Sequence, residues 1–274
     1  MNKRSKVLMG KAREWMVELS RHPVLSTHWD EMSLVVLGST ARGNADRYSD
    51  IDLVFYCFDD VKTAIFREYR DQGLTNRTDG IFVVFPGGHY SIASCEHLLP
   101  SFVQKNFISC WNVEHAIPLH DPEHRFAQLV KEGQRQLFQS SLDIVKQAYF
   151  DLQLTLNWMQ MPINRGDKIA TLLHATKIGQ CLCRTAYLLD RRSYPPDKWL
   201  VRYLDSTRFG RANGSALRSY FRRINRANRL VKHRPFTNNP LYREADAFIG
   251  KIAQSVKRRY GDQPWLGERW YDHL

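Results

Sequence analysis

The sequence contains no apolar run long enough to cross a bilayer, which takes about 18 to 20 consecutive apolar residues. Its longest apolar runs, such as Leu34 to Leu37 and Ile81 to Phe85, have only the length of strands. The basic residues at positions 1–6 are followed by a mixed stretch rather than by an uninterrupted apolar segment, so the pattern of a secretory signal is missing. We therefore expect a cytoplasmic protein without a membrane partner.

Cysteine is scarce and irregularly placed. The five cysteines form no C-x-x-C pair and have no histidine at zinc-finger spacing, so reduced thiols are expected rather than a disulfide framework or a zinc finger. Glycine (15) and proline (11) are too few for a collagen-like protein, and no repeat of fixed period indicates a solenoid. A chain of 274 residues with 43% hydrophobic content instead predicts a globular protein of one large domain or two modest ones.

Acidic residues are the minority among the charged ones. The chain has 28 Asp and Glu against 40 Lys and Arg, a formal net charge of +12. Most of the excess lies in residues 201–274, where three Lys and thirteen Arg face four Asp and two Glu. A polyanion such as a nucleotide or RNA is the partner that this charge favours, although a solvated basic surface has the same composition.

The spacing of apolar residues predicts a change of architecture along the chain. Helical spacing covers 1–21 and 61–69, and short apolar runs predict strands at 33–37, 51–58, 81–85 and 90–94. Beyond residue 122 only helical spacing occurs, over 126–161, 169–189 and 215–231, with proline-containing breaks expected at 161–166 and 194–196. We predict an α/β domain over 1–122 followed by a helical domain over 123–274.

The segment from Leu37 to Leu53 holds the residues that indicate chemistry. A strand that ends in Gly38-Ser39 and runs into a short helix turns backbone N–H groups and the positive end of the helix dipole toward a phosphate. Asp50 and Asp52 are one residue apart at the start of an apolar strand, so both carboxylates project from one face and repel each other. This repulsion is usually offset by a Mg²⁺ ion that binds both carboxylates together with the phosphates of the substrate.

This segment resembles the signature of the DNA polymerase β-type nucleotidyltransferase superfamily, in which Gly-Ser is followed after about ten residues by Asp-x-Asp. Here Thr40 to Ser49 separate the two parts, and Ala41-Arg42-Gly43 is similar to small bacterial members that carry a helical C-terminal domain. The resemblance implies an α+β fold with a mixed-sheet N-terminal domain. It also implies that Gly38 and Ser39 bind the triphosphate of an NTP, and that Asp50 and Asp52 bind Mg²⁺.

The family has a third acid on a later strand, and the sequence departs from it there. The strand that would align, 89–94, contains no acid, and the nearest candidates are Asp79 before the preceding strand and Glu96 after this one. We take Asp79 as the candidate third catalytic acid. If neither acid reaches the site, a polar His89 or Ser91 leaves a protein that binds nucleotide but transfers it poorly or not at all.

The resemblance therefore implies a Mg²⁺-dependent enzyme that transfers a nucleoside monophosphate from an NTP to an acceptor hydroxyl and releases pyrophosphate. A small molecule and an RNA 3′ end stay open as acceptors, and the sequence specifies no oligomeric state. The alternative is a catalytically weak or inactive nucleotide- or RNA-binding protein with a vestigial transferase domain.

Three basic features are further candidates for phosphate binding. Arg42 lies within the motif, and Lys198 lies in a segment, Tyr194 to Leu200, that loosely resembles one in small nucleotidyltransferases. Arg222, Arg226 and Arg229 share one helical face and form either an RNA-binding stripe or a solvated surface.

Overall fold

The computed structural model describes residues 1–75, 77, 80–226, 234–267 and 269–274. The chain divides into two units, Met1–Gln139 and Ser140–Leu274.

A mixed five-stranded sheet organises the first unit. Its strands are β1 (Ser33–Val36), β2 (Ile51–Cys57), β3 (Phe82–Phe85), β4 (Gly88–Ser94) and β5 (Ile117–His120). They lie in the order β3-β4-β2-β1-β5. β2 and β4 are parallel, whereas β1 pairs antiparallel with β2 and β5, and β3 pairs antiparallel with β4.

Helices cover both faces of this sheet, because alternate residues of the central strands are apolar on each side. The helices of this unit are α1 (Lys3–Leu19), the short α2 (Gly38–Ala41), α3 (Asp59–Asp71), α4 (Leu98–Val103), α5 (Phe107–Glu114) and α6 (Arg125–Leu137). One core joins Leu34 and Leu53 of the sheet to α1 and α3, and the other joins Val35 and Tyr56 to α4, α5 and α6.

The second unit contains only helices among its described residues. They are α7 (Ser141–Arg165), α8 (Lys168–Leu189), the short α9 (Asp197–Leu200), α10 (Arg208–Asn225) and α11 (Pro240–Tyr260). α8 packs against α7, α10 and α11 around fully buried side chains such as Ile178, Leu182 and Leu217. Together the two units confirm the predicted α+β class, a mixed sheet followed by helices.

Most predicted elements of the first unit are present with ends shifted by a few residues, but the helices α4 and α5 were not predicted, nor was the strand β5. It has four residues and contains Pro118, and it lies at the edge of the sheet, where a missing N–H is tolerated. Residues 126–161, where the sequence has helical spacing throughout, form two helices and not one, since α6 ends at Leu137 and α7 begins at Ser141.

The helical break predicted at 161–166 is present at the last residue of that range, but Pro162, inside α7, does not cause it. The helix continues to Arg165 and ends at Gly166, whose φ of 72° terminates it in the left-handed conformation. Ile163, the residue after the proline, is fully buried. Burial of α7 therefore outweighs the cost of a proline inside a helix, which is about 3 kcal/mol.

The two units meet in the sequence at a different residue from the predicted boundary at 122. Residues 123–139, which include α6, group with the first unit because α6 packs against α4. Gly133 of α6 lies so close to Phe102 of α4 that a Cβ at Gly133 would be 2.2 Å from the phenyl ring.

None of the helices in the described part of the chain combines the length and the hydrophobicity required to span a bilayer.

Gly133→Ala tests the packing of α6 on the first unit. Because the added methyl group would overlap the fully buried ring of Phe102, we expect the free energy of unfolding of this unit to fall by about 1 to 3 kcal/mol. Gly10→Ala is the matched control, since Gly10 lies in α1 with open space around its Cβ position. That variant should gain about 0.5 to 1 kcal/mol through helix propensity. Thermal unfolding followed by circular dichroism compares the two, and a Gly133 variant as stable as the Gly10 variant would contradict the packing.

Candidate active site

Asp50 and Asp52 lie at the beginning of β2, the central strand of the sheet. Ile51 and Leu53 alternate with them and are buried on the opposite face. The two aspartates therefore face away from that core, and their side chains are 56% and 31% exposed. The same alternation that anchors β2 thus places two carboxylates side by side.

His89 completes a cluster with these carboxylates. β4 runs parallel to β2 with Asp52 opposite His89. The imidazole Nε2 lies 3.3 Å from Oδ1 of Asp52, and Nδ1 lies 3.8 Å from Oδ2 of Asp50. The ring of Phe82 on β3 lies beside the imidazole, with centroids 4.7 Å apart. A residue from the neighbouring strand therefore brings a nitrogen donor to the two carboxylates.

The donor set of this cluster fits a divalent metal ion. Asp50, Asp52 and His89 each offer one ligand atom, and these atoms lie within 4.8 Å of one another. Ligand atoms bound at about 2.0 to 2.3 Å to one ion are separated by up to roughly 4.6 Å. Small side-chain adjustments are therefore sufficient for all three residues to bind the same ion.

Gly38 lies against Asp52 and admits no side chain. The backbone N–H of Leu37 donates to the carbonyl oxygen of Asp52 (2.9 Å), which sets the end of β1 beside the start of β2. A Cβ on Gly38 would lie 1.9 Å from Oδ2 of Asp52, and the φ of Gly38 is +69°. Glycine is therefore required here both by the backbone conformation and by the position of the carboxylate.

The loop between α2 and β2 is fixed to its surroundings by hydrogen bonds. Thr40 Oγ1 donates to the carbonyl oxygen of Asp50 (3.0 Å), and the N–H of Asn44 donates to that of Ser39 (3.1 Å). Two further bonds join the loop to the first residues of the chain. The N–H of Asn2 donates to Gly43 O, and the N–H of Ala45 donates to Ser5 Oγ, each at 2.9 Å. The start of α1 thereby supports the loop that carries Asp50.

The structure brings Gly38, Ser39, Asp50 and Asp52 together at one end of the strands β1 and β2. Arg42 follows α2, and its guanidinium lies over the ring of Trp111, 4.7 Å from the centroid.

The other candidates lie elsewhere. Lys198 belongs to α9 of the second unit, where its ammonium is 6.0 Å from the ring centroid of Trp199, and its contact with a phosphate stays a prediction. Asp79 and Arg229 lie outside the described residues. Glu96 follows the opposite end of β4 from His89, seven residues away, and at about 3.3 Å per residue it is too far along the strand to join the cluster.

His89 was not identified as a metal ligand from the sequence. It begins the strand in which a third acid is expected, which is the only signal that the residues offer. Its place beside Asp52 depends on the register of β2 and β4, which are separated by a helix and another strand.

Comparisons with known proteins agree with this arrangement. Residues 23–105 match the family model described as a nucleotidyltransferase domain, a span that includes Gly38, the carboxylate pair and His89. A solved structure of a nucleotidyltransferase-like protein from Exiguobacterium sibiricum 255-15 is similar to the chain with a TM-score of 0.52 and 10% sequence identity. The similarity covers 89% of this chain and 77% of that one, and at this identity it shows the fold. No curated protein matches the sequence. The resemblance inferred from the motif is therefore confirmed, and the chain carries a nucleotidyltransferase domain.

Gly38→Ala tests whether the close approach of Gly38 to Asp52 is needed for metal binding. The added methyl group displaces the Asp52 carboxylate, so we expect Mn²⁺ to bind at least about tenfold more weakly, which is about 1.4 kcal/mol. Electron paramagnetic resonance of free Mn²⁺ during a titration measures this affinity.

Gly73→Ala is the matched control for the backbone conformation. Gly73 has a φ of +67°, and nothing lies within 4 Å of its Cβ position. Both variants lose about 1 to 2 kcal/mol of stability through the left-handed backbone conformation, but only Gly38→Ala should lose Mn²⁺ affinity. Equal affinities in the two variants would refute the role given to the close approach.

Proposed function

We propose that the nucleotidyltransferase domain at residues 23–105 transfers a nucleoside monophosphate from an NTP to an acceptor hydroxyl with release of pyrophosphate, and that Asp50, Asp52 and His89 bind a divalent metal ion. The observation that carries the proposal is the close approach of Gly38 to Asp52, since it places the start of α2 directly beside the metal-binding carboxylates. An NTP co-substrate is consistent with action in the cytoplasm.

The triphosphate would lie at the start of α2. Gly38 leaves room there because it has no side chain, and Ser39 brings a hydroxyl next to it. The first N–H groups of a helix lack intrahelical acceptors and attract anions. We assign the binding of the triphosphate to this turn, with Arg42 and Lys198 as predicted additional phosphate contacts.

Asp50 and Asp52 would hold the metal ion against the phosphates. When bound, a divalent ion offsets the charge of the triphosphate and activates the attacking hydroxyl. His89 takes the place at which the third acid was expected from the family. An imidazole adds a nitrogen ligand without adding a third negative charge, so it avoids the additional repulsion that a third carboxylate would exert on Asp50, Asp52 and the triphosphate.

The transfer itself is tested with each α-³²P-labelled NTP and a divalent metal ion, against total RNA and a panel of small molecules that carry hydroxyl groups. We expect label on one acceptor class with the intact chain. The Asp50→Asn/Asp52→Asn variant should lower the rate by at least about 100-fold, because the neutral amides bind the metal ion weakly.

Asp59→Asn/Asp60→Asn is the control for the loss of two negative charges. These residues begin α3, past the other end of β2, and their removal should leave transfer within about threefold of the intact chain. If the intact chain binds NTP but labels no acceptor and releases no pyrophosphate, the alternative of a nucleotide- or RNA-binding protein with an inactive transferase domain replaces this proposal.

The identity of the third ligand predicts the choice of metal ion. Imidazole is a better ligand for transition metals than for Mg²⁺, which prefers oxygen. We expect the intact chain to be more active with Mn²⁺ than with Mg²⁺, and His89→Asp to shift the ratio of the two rates about tenfold toward Mg²⁺.

Ser91→Asp is the matched control, since Ser91 lies on the same face of β4 one alternation further along and gains the same charge. Steady-state rates with each metal ion measure the ratio. An unchanged ratio in His89→Asp, or the same shift in Ser91→Asp, would remove His89 from the metal site.

A further inference from the structure

The net positive charge of the chain belongs to the second unit. Residues 140–274 contain 24 Lys and Arg against 11 Asp and Glu, a formal net charge of +13. Residues 1–139 contain 16 against 17, a net charge of −1. The unit that carries the candidate active site is therefore almost neutral, and a polyanion would be attracted to the helical unit.

A cavity of about 580 Å³ in the second unit concentrates part of this charge. It lies where the end of α8, the start of α10 and the end of α11 meet. Arg208 of α10 and Arg258 and Arg259 of α11 line it, together with the side chains of Leu189, Phe209 and Asn213. Three arginines therefore contribute to the lining of a concave space that also has apolar residues in its wall.

One carboxylate organises the cavity. Oδ2 of Asp190 accepts the backbone N–H of Arg208 (2.8 Å), and Oδ1 lies 3.7 Å from Nη1 of Arg259. Asp190 therefore holds the first turn of α10 through a hydrogen bond and attracts the guanidinium group of Arg259. In the described part of the chain no ion pair joins Arg208 or Arg258 to an acid, and Nη2 of Arg258 donates to Ser255 Oγ (3.3 Å). The lining keeps a surplus of positive charge, because one carboxylate opposes three guanidinium groups.

These features match a ligand that carries several phosphates. Guanidinium groups bind phosphate oxygens in pairs of parallel hydrogen bonds. The volume is in the range of about 300 to 1,000 Å³ that is usual for sites of nucleotide-sized ligands. A flat bilayer surface does not enter such a concave site, whereas a sugar-phosphate chain with a nucleotide in the cavity does.

We propose that this cavity binds the phosphate backbone of single-stranded RNA. If the domain transfers nucleotides as proposed above, RNA is the acceptor class of that transfer. The binding of RNA to the cavity does not depend on the proposed function. The predicted stripe of Arg222, Arg226 and Arg229 stays a prediction, because Arg229 lies outside the described residues.

The test measures binding of a short fluorescein-labelled single-stranded RNA by anisotropy. The full chain carries Asp50→Asn/Asp52→Asn throughout, so that binding is read without transfer and a failure of the proposed function leaves this result unaffected. The cavity variant is Arg208→Gln/Arg258→Gln/Arg259→Gln. We expect its affinity for RNA to fall at least about tenfold, and the slope of log K against log salt to become shallower by about 2, as the loss of three phosphate contacts predicts.

Arg165→Gln/Lys168→Gln/Arg243→Gln is the matched control. It removes the same charge from exposed positions of the second unit that do not line the cavity. Its affinity for RNA should fall by no more than about threefold. Arg258→Gln alone is a second variant with little risk of misfolding, since its side-chain bond is to Ser255; it should weaken binding and lower the slope by about 0.7.

Three outcomes would overturn the proposal. An equal loss in the two triple variants would mean that overall charge, and not the cavity, binds RNA. Displacement of RNA by ATP at an equal concentration of phosphate would make the cavity a site for free nucleotide. Binding to anionic lipid vesicles that is lost in the cavity variant, with RNA affinity unchanged, would make it a membrane site. Where the intact chain transfers to RNA, the cavity variant should raise the KM for RNA and leave the KM for NTP unchanged, and an unchanged KM for RNA would contradict RNA as the acceptor class.

Discussion

The repulsion between the carboxylates of Asp50 and Asp52 is the constraint on which the rest of the site depends. β2 cannot relieve it by twisting, because both neighbouring strands are hydrogen-bonded to it and Ile51 and Leu53 are buried beneath it. Relief must come from the neighbours. β4 brings a ring nitrogen of His89 to 3.3 Å from Asp52, and β1 leads into Gly38, which leaves the space beside Asp52 open to other groups. The order of strands in the sheet therefore decides which residues surround the pair.

The position of Asp52 also constrains parts of the first unit that are far away in sequence. There is no space for a side chain on Gly38 beside Asp52, and with a φ of +69° the chain turns there and returns through residues 42–49 to the start of β2. That return is fixed by bonds from Asn2 and to Ser5 at the start of α1. α1 thus has two roles, because it packs against the sheet and its first residues hold the loop that leads into the carboxylate pair.

Local patterns sufficed for most of the first unit, and the exceptions have physical causes. The Gly38 turn, the two aspartates and four strands are encoded in short stretches, so their spacing predicts them. His89 is different, because only the parallel register of β2 and β4 brings it to Asp52, and no local pattern encodes that register. β5 and the continuation of α7 past Pro162 show the same limit. The edge position of β5 tolerates Pro118, and burial of α7 outweighs the cost of Pro162, but neither condition is visible in the local sequence.

The two sites depend on electrostatics in different ways, and this makes their roles separable. At the carboxylate cluster three ligand atoms lie within 4.8 Å, so its affinity for an ion is a short-range property of a few contacts. The helical unit attracts anions through 24 basic side chains, and such attraction is screened at about 8 Å in physiological salt. Salt should therefore weaken the capture of a polyanion far more than it weakens the binding of the metal ion. The near-neutral first unit and the strongly basic second unit therefore separate the proposed metal site from the proposed binding of a polyanion, so that a change in the arginines of one unit leaves the ligand atoms of the other in place.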